Sequence, residues 1–144
     1  MAFHGTYDHN LDAKNRVTVP SKFRASLSDG LVLAKGVDRF LTVWPASEHA
    51  RHVAGTLDGR DPIAEDTQVL RRFLFSQAHD TELDAAGRIM IPPPLMAHAS
   101  FEKAVVVSGL GTYFELWEPA AWAKVDAGLP EQVRLLTSTT SHAG

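Results

Sequence analysis

The chain has 144 residues, 44% of them hydrophobic, a formal net charge of -3 and no cysteine. That length can bury a real core yet would leave two independent half-sized units marginal, and the lack of thiols excludes disulfides and thiolate metal sites. No run approaches the roughly 20 apolar residues of a membrane span and no charged, apolar leader opens the chain, so a soluble cytoplasmic protein is expected, with any nucleic-acid surface confined to a local patch.

In chain order, Phe3 to Asp8 (FHGTYD) alternates like a short edge strand. Asp12-Ala13-Lys14-Asn15 follows with turn chemistry: Asp12 can accept local backbone N–H bonds and Asn15 tolerates a left-handed conformation. Arg16 to Val19 then alternates as a half-buried strand, so strand, tight turn, strand is the simplest reading. Pro20 stops the ladder, Ser21 is placed to cap a helix, and Lys22 to Leu27 fills one or two turns. Leu31–Lys35 and Phe40–Trp44 flank Gly36-Val37-Asp38-Arg39 as a hairpin. Ser47 caps a helix carrying Ala50, Val53, Ala54 and Leu57, and residues 55–62 form a loop. A longer helix is expected from about Ala64 to Ala78, with Val69, Leu70, Phe73, Leu74 and Gln77 on one side.

The second half repeats the first. Leu11 to Phe23 (LDAKNRVTVPSKF) is echoed at Leu83 to Leu95 (LDAAGRIMIPPPL), with five identities in a ten-residue core and an offset of 84 minus 12, or 72. The hairpin recurs at Ala104–Ser108 and Tyr113–Trp117, where Trp44 falls on Trp117 at an offset of 73, so one residue is inserted between echo and hairpin. Pro119 opens the matching helix, Pro130 to Leu136 makes a separate short one, and Thr137 to Gly144 reads as a flexible tail. The expected division is residues 1–60, a connecting helix over 61–79, residues 80–136 and a tail over 137–144, with the two units sharing one core.

Asp-x-x-x-Arg is uninformative alone, but Asp12/Arg16 and Asp84/Arg88 recur inside matched flanks. The structural reading is that the aspartates cap turns while the arginines pair with carboxylates. The functional reading rests on charge. Lys14, Lys22 and Arg24 in the first copy face Ala86, Pro94 and Met96 in the second, so the basic face belongs to the first copy alone. Lys14 and Arg16 near the tip of a slim turn suit phosphates and guanine edges in a major groove.

The opening FHGTYDHNLDAKNRVTVPSKFR, the RRFLFSQAH helix, the LDAAGR echo and the FELWEPAAW segment together resemble the MraZ family of bacterial transcriptional regulators, which carry two tandem AbrB-type units with D-x-x-x-R in each. The resemblance implies an α+β fold: a pseudo-twofold, swapped-hairpin β-barrel of the AbrB-like kind with peripheral helices, strands from the two halves interleaving. It implies a nucleoid-associated protein that forms a ring-like homo-oligomer and binds repeated double-stranded promoter elements upstream of the division and cell-wall gene cluster. The family's DNA-contact motif maps onto Asp12, Lys14 and Arg16, with Asn15 in place of the usual glycine, Lys22 and Arg24 extending the basic face, and His4 where some relatives are basic.

Other chemistry is poorly supported. His49 and His52 lack a third ligand at a recognisable spacing, so no metal or cofactor is expected. Ser76, His79 and Asp80 are adjacent in sequence, which seldom makes a catalytic constellation, so no enzyme is expected. The alternative to a regulator is a ring-forming interaction module with incidental DNA affinity.

Overall fold

The computed structural model describes residues 2–143, with side chains described through Ser138. Eight strands, β1 (Thr6–Asn10), β2 (Arg16–Thr18), β3 (Leu31–Lys35), β4 (Phe40–Pro45), β5 (Ala78–Thr81), β6 (Arg88–Met90), β7 (Ala104–Gly109) and β8 (Phe114–Trp117), alternate with helices. These are α1 (Ser21–Arg24), α2 (Ala46–Leu57), α3 (Glu65–Arg71), α4 (Pro93–Ala99) and α5 (Pro119–Ala143).

Six strands form one antiparallel sheet in the order β1-β7-β8-β4-β3-β5, while β2 and β6 pair as a separate ribbon. Matching the halves by the echo makes β5 the counterpart of β1, β7 of β3 and β8 of β4, so the sheet order is symmetric about the β4–β8 seam. The edge strand of each half is hydrogen-bonded into the other half, β1 on β7 and β5 on β3. The Asp12–Asn15 turn therefore does not close a local hairpin, because β2 takes β6 as its partner instead of β1. Nor is the architecture a closed barrel. The sheet is open, with β1 and β5 as its edges and the ribbon laid against one face.

Ladder pairing also revises the alignment of the halves. Leu31 pairs with Thr81 and Val105 with His9; Thr81 and His9 differ by 81 minus 9, or 72, so Leu31 corresponds to Val105 at an offset of 74. Beyond the turn, the fully buried Leu41 and Phe114 restore 73. Two residues are thus gained before β7 and one is lost in the turn. Because side chains alternate across a strand, the single-insertion alignment would have sent every β7 residue to the wrong face.

The inner face of the sheet presents Leu31, Leu33, Leu41, Val43, Val105, Val107, Phe114 and Leu116. Against it pack Val17 and Ile89 of the ribbon, Phe23 of α1 and Leu95 of α4, in one cluster drawn from both halves. Each such side chain fully buried contributes about 1.5–3 kcal/mol. On the outer face lie α2 and the start of α5, where Phe40 stacks on Trp117 at 4.6 Å and Trp122 packs beside them.

The helix expected over 64–78 is shorter and breaks. After α3 the backbone makes one turn of π-helix, Arg72–Ser76, and enters β5. The side expected to be apolar is only partly buried: Leu74 is inside, Leu70, Phe73 and Gln77 are half-buried, and Val69 is more than half exposed. The helices expected to be capped by Ser21 and Ser47 instead follow directly from Pro20 and Pro45, with no side-chain cap bond. At the C-terminus, Pro130 lies inside the continuous helix α5, which runs through the stretch read as a flexible tail. Thr137 Oγ1 donates to the Val133 carbonyl at 2.9 Å, a local bond back to the preceding turn inside that helix. Gly144 lies outside the described residues.

His49 and His52 on α2 pack against Trp44, His52 stacked at 4.5 Å and His49 edge-on at 6.0 Å. Burial pushes both imidazoles below their ordinary pKa, helped for His49 by the charge of His52. The folded state thus holds fewer protons than the unfolded one just below pH 6.5, and stability present above that pH is lost as pH falls through the folded values. Thermal melts between pH 5 and 8 are expected to show this loss, and the His49→Gln/His52→Gln variant to flatten it; an unchanged slope in the variant would assign the effect elsewhere.

Candidate nucleic-acid interface

Each Asp-x-x-x-Arg loop closes on its own aspartate. In the first, Asn15 N–H donates to the Asp12 carbonyl at 3.0 Å, and Asp12 Oδ1 accepts from the backbone N–H groups of Lys14 and Arg16, both at 2.9 Å. Arg16 Nε donates to Asp12 Oδ2 at 2.7 Å. The second loop repeats this: Asp84 Oδ1 accepts from Ala86 and Arg88 N–H at 3.0 and 2.9 Å, and Oδ2 from Arg88 Nε at 2.8 Å. Donation from the Arg16 or Arg88 backbone, then from the same arginine's side chain, holds each carboxyl below the usual carboxylate range.

Ribbon pairing makes the loops neighbours. Arg88 Nη1 lies 3.6 Å from Asp12 Oδ2, and Arg16 Nη1 lies 3.9 Å from Asp84 Oδ2. The two motifs form one pseudo-twofold quartet of alternating charge. Ladder-like bonds knit it further, from Val19 N–H to the Gly87 carbonyl and from Ile91 N–H to the Asn15 carbonyl, both 2.9 Å. The structural reading of the motif describes what is found: each carboxylate accepts the N–H bonds of its own turn and each guanidinium is paired, while Lys14 lies at the exposed tip of the first turn. Ala13, Lys14 and Asn15 are exposed at the tip, and the two arginines are about a quarter to a third exposed.

The swapped pairing also redistributes charge. Arg24 reaches from α1 to the second loop, donating from Nε to the Val19 carbonyl at 3.0 Å while its guanidinium packs on Gly87. The basic face expected for the first copy alone thus spans both loops, with Arg24 beside a turn that lacks a lysine of its own. This explains why the halves differ at one turn position. Gly87 has φ +76° and a side chain there would run into Arg24, whereas Asn15, with φ +58°, occupies the same left-handed conformation at an exposed tip. Gly87→Ala is expected to lose about 1–2 kcal/mol from the left-handed backbone alone, plus whatever displacing Arg24 adds. Asn15→Gly should stay within about 0.5 kcal/mol. Paired denaturation curves check this, and equal losses at both positions would refute the packing argument.

A family model described as "MraZ protein, putative antitoxin-like" matches residues 2–68 and 74–134. A protein of Roseiflexus castenholzii named Transcriptional regulator MraZ is 40% identical over 126 residues, 85% of each chain. One of the same name from Herpetosiphon aurantiacus is 34% identical over 142 residues, 99% of each chain. Another, from Thermoanaerobacter pseudethanolicus, is 38% identical over 118 residues, 82% of each chain. The chain belongs to the MraZ family.

Within this MraZ-family chain the remaining site candidates are placed unevenly. Lys22 is exposed on α1, two residues before the Arg24 anchor. His4 lies at the other end of β1 from the loops: Phe3 bridges to Gly111, and the strand Thr6–Asn10, about 13 Å from first to last residue, runs between His4 and the first loop. Two residues not singled out from the sequence share the outward side of the ribbon, Thr18 and the exposed Met90, which faces Arg16 across the ladder. Their signal was the period-2 alternation Arg16-x-Thr18 and Arg88-x-Met90, legible once β2 and β6 are known to pair.

Among the described residues no group of three or more His, Asp or Glu is placed to hold a metal ion. The Ser76 hydroxyl donates to the Arg72 carbonyl, and His79 sits in the β5 ladder opposite Leu33. No described helix is long and apolar enough to cross a membrane.

Proposed function

We propose that this chain is a transcriptional regulator that binds double-stranded DNA through the β2–β6 ribbon and its two turns. The observation that carries the reading is the Asp–Arg quartet, which fixes both loops in one rigid unit with Lys14 projecting and Arg16, Arg24 and Arg88 around it. The relatives named as transcriptional regulators support it. Lys14 and Lys22 supply phosphate contacts, Arg16 a guanine edge, Asn15 an amide at the tip, and Met90 an apolar contact for a thymine methyl.

One ribbon binds weakly. A ring-like homo-oligomer would present several ribbons to successive promoter repeats, making later contacts intramolecular and raising affinity without a strong single site. Exposed apolar side chains suited to subunit contact include Ile63, Val69 and Phe75 around α3 and Val125, Leu129 and Val133 on α5. The promoter elements are those upstream of the division and cell-wall genes, and the setting is the cytoplasmic nucleoid.

Footprinting on those repeats tests the proposal: regularly spaced protection supports it, and none at moderate salt favours the interaction module. Binding is expected to fall steeply with salt. The slope of log affinity against log salt should be shallower in Lys14→Ala by roughly one for every phosphate left unneutralised in each engaged subunit. Filter binding across a salt series measures it, and identical slopes would remove Lys14 from the backbone contacts.

A further inference from the structure

The pseudo-twofold relation exposes one place where the halves have diverged outside the ribbon. At the offset of 73, Trp44 corresponds to Trp117, Tyr113 to Phe40, His49 to Trp122 and His52 to Val125. The stacking is preserved: Tyr113 lies on Trp44 at 4.1 Å as Phe40 lies on Trp117 at 4.6 Å. On the α5 side Trp122 and Ala121 close over the stack and seal it. On the α2 side His52 stacks on Trp44 at 4.5 Å and His49 meets it edge-on, and these smaller rings line a cavity of about 480 Å³.

Its walls come from the β3–β4 turn, α2, the π-turn and the β7–β8 turn. Phe40, Trp44, Phe73 and Tyr113 give it apolar, flat surfaces over a floor of Ala34 and Thr42. Lys35 and Arg51 stand at the edge with both histidines, and the single acid, Glu48, is already engaged by Arg51 Nη1 at 3.0 Å. The balance is therefore positive in a chain whose net charge is negative. A cavity of that size that combines four aromatic side chains with a few polar and charged groups matches the general form of small-molecule sites.

We propose that this cavity binds a small anion built on a flat apolar ring, an aromatic carboxylate or its equivalent, with the ring against the aromatic wall and the anionic group toward Arg51, Lys35 and the histidines. The site is separate from the ribbon, and its test does not depend on DNA binding. Isothermal titration of the full-length protein with 2-naphthoate is expected to give saturable binding with one site per chain. The neutral 2-naphthamide should bind about tenfold more weakly, as should 2-naphthoate to Arg51→Gln, the change expected for roughly 1.4 kcal/mol of lost charge interaction. Thr42→Leu, which fills the floor, should abolish binding while the far-ultraviolet circular dichroism spectrum of the folded protein stays unchanged. Equal binding of acid and amide, or binding that survives Thr42→Leu, would overturn the proposal. So would a change in oligomer mass by light scattering in Arg51→Gln, because the cavity would then be a subunit contact.

Discussion

Phe114→Ala is expected to remove about 3–5 kcal/mol of stability, the range for truncating a buried aromatic in a core that cannot collapse around the gap. Phe114 is fully buried on β8, beside the seam about which the halves are related. Its ring meets Phe3 and Phe23, both at 5.2 Å, and Phe23 meets Phe3 at 4.9 Å and Tyr7 at 5.4 Å. One truncation therefore loosens the N-terminal segment, β1 and α1 together. Natural domains hold only about 5–15 kcal/mol in total, so the variant is expected to approach unfolding. Val37→Ala, at an 82% exposed turn position, should change stability by less than about 0.5 kcal/mol. Denaturation at matched protein concentration measures both, the matching being needed because the proposed subunit association would add to apparent stability. A loss below about 1 kcal/mol for Phe114→Ala would mean that the aromatic cluster is not central to the core.

The second large effect is on DNA. Arg16→Ala removes a guanidinium that both neutralises Asp12 and is available to a guanine edge, and a bidentate base contact is worth about 1–3 kcal/mol. Repeated over the several subunits of the proposed ring, that loss is expected to abolish specific promoter binding without changing the oligomer mass. Arg16→Lys should rescue little, because an ammonium cannot reproduce the fork that bonds Asp12 at 2.7 Å while reaching toward Asp84. Arg88→Ala should be milder for DNA if its main task is to hold Asp84 and Asp12. Gel shifts paired with light scattering separate the outcomes, and unchanged affinity in Arg16→Ala would take the motif out of recognition.

Much of this architecture was legible in the residues. The echo at an offset of 72 located both turns, and the alternation of Val17 and Val19 with polar neighbours oriented β2 correctly. Turn chemistry at Asp12 and Asp84 gave the hydrogen bonds that are found. What escaped notice depends on contacts between distant parts of the chain. The packing of Arg24 on Gly87 joins residues 63 apart, through a pairing of β2 with β6 that no local pattern encodes. The hairpin offset was ambiguous because a gain of two and a loss of one leave the same total as a single insertion, and only ladder partners distinguish them. The outer-face cavity was hidden for a similar reason. His49 and His52 carry no visible motif, and their meaning comes from sitting where the other half has Trp122 and Val125.

The exchange of edge strands between halves has a consequence during synthesis. While the ribosome is still making the second half, β3 has no β5 to complete it and β1 has no β7, so the emerging first half must wait with open strand edges. At roughly 5–20 residues per second, the 72 residues that separate the two turns take several seconds to appear. Over that interval the nascent chain is most exposed to mispairing with its neighbours on the same message.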